Sequence, residues 1–213
     1  MKNFKFILTS LKDIRDYIET NHYSKSINGL KISYCFKIVN DKGETVGASI
    51  YGQQSTTAWK RYVEREDDLL ELRRLCTTDK TKNLLSEFVG FCNRYIKKNS
   101  KVKLLLSYAD PYNGHVGTIY QATNWIYLGE TSSDILLRTP EGKIYHSRAM
   151  RTKYKGEFKP FALRLQLLEQ QGLLEKVQVP GKHIYAIVLH GKFNFLKKVY
   201  PKLNKKETND LTN

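Results

Sequence analysis

A chain of 213 residues with 40% hydrophobic content has the length of one domain, or one domain with an appended lobe, and enough apolar material to exclude a disordered polymer. Its net charge of +15 favours a polyanionic partner, nucleic acid before an anionic membrane or an acidic protein. No apolar run approaches the roughly 18 residues of a membrane span, and Cys35, Cys76 and Cys92, without C-x-x-C spacing, argue against a disulfide framework or zinc site and for buried free thiols in a reducing cytosol.

The N-terminal MKNFKFILTSLKD has too short an apolar run for a signal peptide. Phe4–Leu8 reads as a strand, and Leu11–Asn21 as an amphipathic helix capped by Thr9 or Ser10. A hairpin follows: Lys31–Val39 alternates, Asn40-Asp41-Lys42-Gly43 turns, and Thr45–Tyr51 returns. Leu69–Cys76 is a further strand, and Asn83–Lys97 a helix with Leu84, Leu85, Phe88 and Phe91 on its apolar face. Leu104–Ser107 and Trp125–Gly129 are strand-like, and a short helical piece lies between them. Asp134–Arg138 with Lys143–Ala149 reads as another hairpin, and Phe161–Gln171 as a helix presenting Leu163, Leu167 and Leu168 on one side and closed at Gly172. Ile184–Leu189 is a last strand, and the charged tail Lys197–Asn213 is expected to fray. This order is α/β with a mixed sheet. The change of texture after Arg151 places a catalytic core at residues 1–150 and a helix-strand extension packing on it at 151–213.

The stretch Lys103–Glu130 concentrates chemistry. An apolar strand ends in Asp110-Pro111-Tyr112-Asn113-Gly114-His115, a loop rich in proton-moving groups at the carboxyl end of a strand, where α/β enzymes place active sites. Asp110 is a candidate proton acceptor or metal ligand, although any Asp-Pro can simply turn. His115 can shape the loop or act directly. His22 and Tyr23 follow the first helix, where a His-Tyr pair ordinarily serves as a cap. Two basic runs, Lys60, Arg61 and Arg65, then Arg148, Arg151, Lys153, Lys155 and Lys159, are interleaved with Trp59, Tyr62, Tyr145 and Tyr154. Cations supply phosphate affinity and rings can stack on bases, so both runs are candidate DNA contacts. Tyr51-Gly52-Gln53-Gln54-Ser55 has side chains able to read an adenine edge.

The element order is also that of the GNAT acyltransferase fold, and Thr118-Ile119-Tyr120-Gln121-Ala122-Thr123-Asn124-Trp125 resembles that fold's late helix. More specific are His22-Tyr23-Ser24, Glu71-Leu72-Arg73-Arg74-Leu75, Lys82-Asn83-x-x-Ser86-x-Phe88, Ser107-Tyr108-Ala109-Asp110-Pro111-x-x-Gly114-His115 with Gly117 and Ile119-Tyr120-Gln121-Ala122, and Pro180-Gly181-Lys182-His183-x-Tyr185. In this order they resemble the phage Mom family of DNA-modification enzymes. The resemblance implies a mostly antiparallel GNAT-like sheet flanked by helices with a C-terminal helix-strand extension. It implies carbamoylmethyl (acetamido) transfer to adenine N6 in double-stranded DNA, protecting phage DNA from restriction in a bacterial cytoplasm.

Carried over by position, Tyr120 is the acid and Asp110, His22 and Tyr23 arrange the amine. Arg74, Lys82, Asn83 and Ser86 hold the donor, which is acetyl-coenzyme A or another activated two-carbon or glycyl group. The family's association with iron makes His22, Tyr23 and Asp110 candidate ligands. The usual glycine-rich phosphate loop is replaced by Thr77-Thr78-Asp79-Lys80-Thr81-Lys82-Asn83. Either side chains take over the phosphates there, or coenzyme A is not the donor. Two other readings stay open: an acetyl-coenzyme A N-acetyltransferase for a protein or small amine, and a non-catalytic basic DNA-binding protein. A monomer and a homodimer are equally compatible with the sequence.

Overall fold

The computed structural model describes residues 3–202, so the end of the charged tail expected to fray, residues 203–213, lies outside the described residues. Along the chain run β1 (Lys5–Thr9), α1 (Leu11–Asn21), β2 (Lys31–Val39), β3 (Thr45–Gln53), β4 (Leu69–Thr77), α2 (Leu84–Asn99), β5 (Leu104–Ala109), α3 (Thr118–Ala122) and β6 (Ile126–Glu130). Then come β7 (Asp134–Arg138), β8 (Ile144–His146), β9 (Lys153–Tyr154), β10 (Glu157–Phe158), α4 (Pro160–Gln170), β11 (Glu175–Val179) and β12 (His183–Val188). No helix among the described residues is long and apolar enough to cross a membrane.

Two compact units form, one from residues 1–129 with 183–213 and one from 130–182. The boundary expected at 150/151 falls inside the second unit. The reason is β12, which pairs antiparallel with β5 from His183↔Ala109 to Val188↔Leu104 and so belongs to the first unit's sheet.

That sheet has seven strands in the order β1-β2-β3-β4-β5-β12-β6. Alternation sorts its side chains by face. Phe36, Ile38, Tyr51, Leu70, Leu72, Leu105 and Tyr185 pack with Leu84, Phe88, Val89, Cys92 and Ile96 of α2 and with Tyr120 of α3. On the other face, Ile14 and Ile18 of α1 cover Cys35, Ala48 and Ile50, while Trp59, Tyr62, Phe193 and Phe195 lie against Leu69, Leu104, Leu106 and Ala186. α1 starts at a capping box: Asp13 N donates to Ser10 Oγ, and Ser10 N donates to the Asp13 carboxylate at 3.2 Å. The three cysteines are free thiols, and burial pushes Cys76 and Cys92 up to about 12.

β4 and β5 are parallel, and they pair only at Leu69↔Leu104, Leu70↔Leu105 and Glu71↔Leu106. Past that point β4 runs on to Thr77 and β5 to Ala109 with no partner between them, so the carboxyl ends of the two strands part. This opening sets the site.

The second unit holds the three-stranded antiparallel sheet β11-β7-β8 and the hairpin β9-β10. Lys155 (φ 49°) and Gly156 (φ 88°) turn the hairpin, the two positive φ values of a type I′ turn. β8 is shorter than the expected Lys143–Ala149 because a 3₁₀ turn takes over at Ser147–Arg151. α4 buries Ala162 and Leu165, while Leu163 and Leu167 are 51% and 53% exposed. The apolar face expected from Leu163, Leu167 and Leu168 is therefore corrected: with Phe161 and Leu165 also apolar, no single stripe stands out of the sequence.

Candidate active site

The parted ends of β4 and β5 open into a cavity of about 340 Å³, which is lined by Leu72, Arg73 and Leu75 of β4, Leu85 of α2, residues 108–110, the 114–120 segment, and His22 with Tyr23. The four residues read from sequence as catalytic, His22, Tyr23, Asp110 and Tyr120, all face this one space.

Tyr120 sits in α3 beneath the cavity and is 8% exposed. Its hydroxyl lies 2.7 Å from Ser107 Oγ, which is also 3.0 Å from the Leu72 carbonyl. Burial pushes the phenol up to about 12, opposed by the Ser107 hydrogen bond. It is therefore protonated at neutral pH, the state an acid needs.

The loop after β5 is held by Asp110, which accepts from Tyr112 N at 3.1 Å, while its carbonyl accepts from Asn113 N and His115 N. Gly117 has φ +80°, and a Cβ there would meet the Tyr185 ring at 2.3 Å. Tyr185 OH donates to the Val116 carbonyl at 2.6 Å, and Gln121 Nε2 donates to Tyr185 OH at 3.1 Å. The Tyr185 of the Pro-Gly-Lys-His motif thus supports the segment that lines the cavity.

His22 is 5% exposed. Its Nδ1 accepts from Ser24 N at 3.1 Å and lies 2.9 Å from Ser24 Oγ. The Tyr23 ring lies against it, tilted by 31° with centroids 4.3 Å apart, and the His115 ring centroid is 5.3 Å from that of Tyr23. Burial first, then the Arg74 and His115 charges, holds His22 down at about 4. The imidazole is neutral at physiological pH.

Arg74, expected to hold the donor, does something else. Nε and Nη2 both donate to the Ser26 carbonyl, at 3.0 and 2.8 Å, and Nη1 donates to the Arg73 carbonyl at 2.7 Å. The guanidinium clamps the loop that carries His22 and Tyr23. Its neighbour faces the cavity instead, because Ile50 pairs with Arg74 and Tyr51 with Leu72, leaving Arg73 as the extra residue of a β-bulge. Arg73 donates to Glu71 at 3.0 Å and to Ser55 Oγ at 3.0 Å, and its buried Nε has no partner among the described residues.

Of the segment proposed to read an adenine edge, Gln54 donates to Tyr108 OH at 2.9 Å and keeps a buried, unpartnered Oε1. Gln53 instead donates to Asp67 at 3.1 Å.

Lys82, Asn83 and Ser86 stand at the start of α2, whose Leu85 reaches the cavity. Asn83 takes a left-handed φ of 64° in place of a glycine. Ser86 Oγ donates back to the Asn83 carbonyl at 2.8 Å. In the loop before it, Thr78 N donates to Val46 O and Tyr17 OH, Asp79 N to Thr77 Oγ1, and Thr81 N to Asp79 Oδ1. Those amides are spent within the protein, unlike those of a glycine-rich phosphate cradle.

Among the described residues no group of three or more His, Cys, Asp and Glu could hold a metal ion. Of the expected ligands, His22 has Nδ1 taken by the Ser24 amide.

The basic residues divide between the units. Lys60 and Arg61 lie on a 3₁₀ turn of the first, Lys60 Nζ being 5.6 Å from the Trp59 ring centroid. Arg148, Arg151 and Lys153 belong to the second, where Lys153 Nζ stands 4.6 Å over Phe158 and Lys155 and Lys159 flank the 65% exposed Tyr154. The carboxylates Glu141, Glu169 and Glu175 pair with Arg164, Lys176 and Arg138, which leaves the charge of the 148–159 segment uncompensated by them.

Sequence reasoning did not assign roles to Arg73, Ser107 or Leu85. Ser107 and Arg73 stood inside quoted motifs, but only the bulge and the parting of the strands reveal which way they face.

The model of the Mom protein family matches residues 3–206. No curated protein matches the chain. Among solved structures, the chain is similar to an IAA acetyltransferase from Bacillus cereus (9% identity, TM-score 0.50, 87% of this chain and 99% of that one). It is also similar to a Bacillus subtilis acetyltransferase in complex with CoA (11%, 0.48, 88% and 99%) and to an N-acetyltransferase from Staphylococcus aureus (12%, 0.47, 88% and 99%). At such identities the likeness speaks to fold alone, and the fold is the mixed, mostly antiparallel GNAT-like one.

Proposed function

The chain belongs to the Mom protein family, and on that premise we propose that it is a transferase acting on the N6 amine of adenine in double-stranded DNA. The group added is carbamoylmethyl (acetamido), and the product is phage DNA shielded from restriction. The observation that carries this reading is the convergence of Asp110, Tyr120, His22 and Tyr23 on one cavity at the parted ends of β4 and β5.

In the proposed reaction the amine nitrogen forms a bond to the donor carbon as the bond from that carbon to its leaving group breaks. Asp110 takes the proton lost by the amine, and Tyr120 gives one to the leaving atom. The donor that balances this product is an activated two-carbon, glycyl-derived unit that carries the carboxamide and has its leaving group on the methylene; acetyl-coenzyme A, the other candidate, would give an N6-acetyl product by the same displacement. The donor lies beside Leu85 and Arg73, with Lys82 supplying charge in place of the spent loop amides. Arg74 acts by holding the His22 loop. A target base inside a duplex has to be flipped out to reach such a cavity, and the cations of both units, Lys60 and Arg61, Arg148, Arg151 and Lys153, are its phosphate contacts.

Mass spectrometry of nucleosides from DNA of cells expressing the protein tests the reading. A deoxyadenosine derivative heavier by a carbamoylmethyl group is expected. Only unmodified deoxyadenosine, with intact protein present, overturns it, and an acetylated protein or polyamine in its place moves the chemistry to a different amine.

A further inference from the structure

We propose that His22 works as a neutral hydrogen-bond donor, through Nε2–H, to an oxygen of the group being transferred, and that it does not ligate a metal. The identity of that oxygen rests on the transferase reading above; the state of the ring does not.

The argument starts from Ser24. A backbone amide can only donate, and Ser24 N donates to His22 Nδ1 at 3.1 Å. Nδ1 therefore presents its lone pair, and the single proton of the neutral ring sits on Nε2. Ser24 Oγ, 2.9 Å from the same nitrogen and 3.3 Å from the Ser26 carbonyl, closes that edge further. Tyr23 covers one face of the ring. The side chain nevertheless lines the cavity, so the edge that meets the cavity is the one bearing Nε2–H.

Metal-binding histidines carry the opposite polarity: the free nitrogen ligates while the other N–H donates to a carbonyl or carboxylate. For Nε2 to ligate here, the proton would have to move to Nδ1, crowding the Ser24 amide N–H that now donates there, with Ser24 Oγ as the acceptor on that edge. The Arg74 guanidinium adds positive charge near the ring, a second obstacle to a cation. A neutral imidazole N–H suits another task. It can meet a carbonyl or carboxamide oxygen on which negative charge grows, without first having to lose a proton of its own.

The test is histidine-selective ¹⁵N labelling of the full chain and long-range ¹H–¹⁵N correlation, with no substrate present. The expected result is the Nε2–H tautomer at His22 from about pH 5 to about pH 8, unchanged by titration with ferrous ion. An Nδ1–H tautomer, or selective loss of the His22 signals on adding ferrous ion, overturns the proposal. In the DNA-modification assay, His22→Gln keeps a donor and His22→Leu does not. The leucine variant is expected to lose about 10²-fold in kcat and the glutamine variant markedly less, so equal losses in two folded variants overturn it as well. Absence of any modified deoxyadenosine with the wild-type chain sinks the transferase reading alone, since the tautomer is measured without DNA.

Discussion

The Ser107 hydroxyl stands 2.7 Å from that of Tyr120 and 3.0 Å from the Leu72 carbonyl, at the point where β4 and β5 part. One hydroxyl proton serves two neighbours. While Tyr120 is protonated, Ser107 donates to Leu72 and accepts from the phenol; once the phenol has given up its proton, Ser107 can turn and donate to the phenolate. Ser107→Ala removes that stabilisation, so it should raise the Tyr120 pKa further and slow turnover about 10-fold, against the ~10²–10⁴-fold expected for Tyr120→Phe. Initial rates of modified deoxyadenosine formation decide it, and a wild-type rate in Ser107→Ala would remove the relay.

Arg74 donates from three nitrogens to two backbone carbonyls. Lysine cannot reproduce that fork, and alanine leaves the Ser26 carbonyl only the 3.3 Å bond from Ser24 Oγ. Arg74→Ala should cost about 3 kcal/mol of stability, read from a denaturant midpoint. Arg74→Lys should keep the fold and lower kcat more than it raises KM for donor, because the clamp acts on His22 and Tyr23. A variant altered only in donor KM would return Arg74 to donor binding.

Gly117 is ill suited to a side chain on two counts. It combines φ +80° with a Cβ placement 2.3 Å from the Tyr185 ring, whereas Gly142 has φ +77° and open space around it. Gly117→Ala should lose about 3 kcal/mol or more, and Gly142→Ala about 1 kcal/mol. Thermal midpoints of the two variants compare them directly, and equal shifts would mean that the Tyr185 contact yields.

Much of this fold was legible because its elements carry redundant signals. Ser10 and Asp13 mark the start of α1, and β2 and β3 alternate around an Asn-Asp-Lys-Gly turn. Asp110, Tyr120, His22 and Tyr23 stood out in the sequence through the motifs that carry the family resemblance, and the fold brings the four to one cavity. What escaped was directional. A β-bulge exchanges the roles of Arg73 and Arg74, which no alternation rule distinguishes. α4 is apolar on too many sides to reveal its buried stripe, and β11, Glu-Lys-Val-Gln-Val, is an edge strand with little hydrophobic signal. The unit boundary was misplaced because β12 returns to the first sheet after an insertion whose own texture changes midway.

The β9-β10 hairpin and the residue after it place Lys153 over Phe158, and Lys155 and Lys159 over Tyr154. If these cations meet phosphates, Lys153→Glu and Arg151→Glu should weaken binding to duplexes of any sequence and lower the salt slope by about 1 per lost contact. Fluorescence anisotropy across a salt series measures both quantities. Unchanged affinity and slope in both variants would confine DNA contact to the first unit.

His22 makes the fold sensitive to acid in a defined window. Its pKa is held at about 4 in the native state, chiefly by burial, against the ordinary histidine value of 6.5. Between those values the unfolded chain binds a proton that the native state refuses, so stability is complete above pH 6.5, falls as pH drops toward 4, and levels off below it. The full span corresponds to a loss of about 3 kcal/mol. His22→Gln removes the titrating group while leaving a polar side chain of similar reach. The wild-type denaturant midpoint should therefore fall more steeply than that of the variant between about pH 6.5 and about pH 4. Parallel curves would show that His22 keeps an ordinary pKa, and that the ring is more open to water than its 5% exposure indicates.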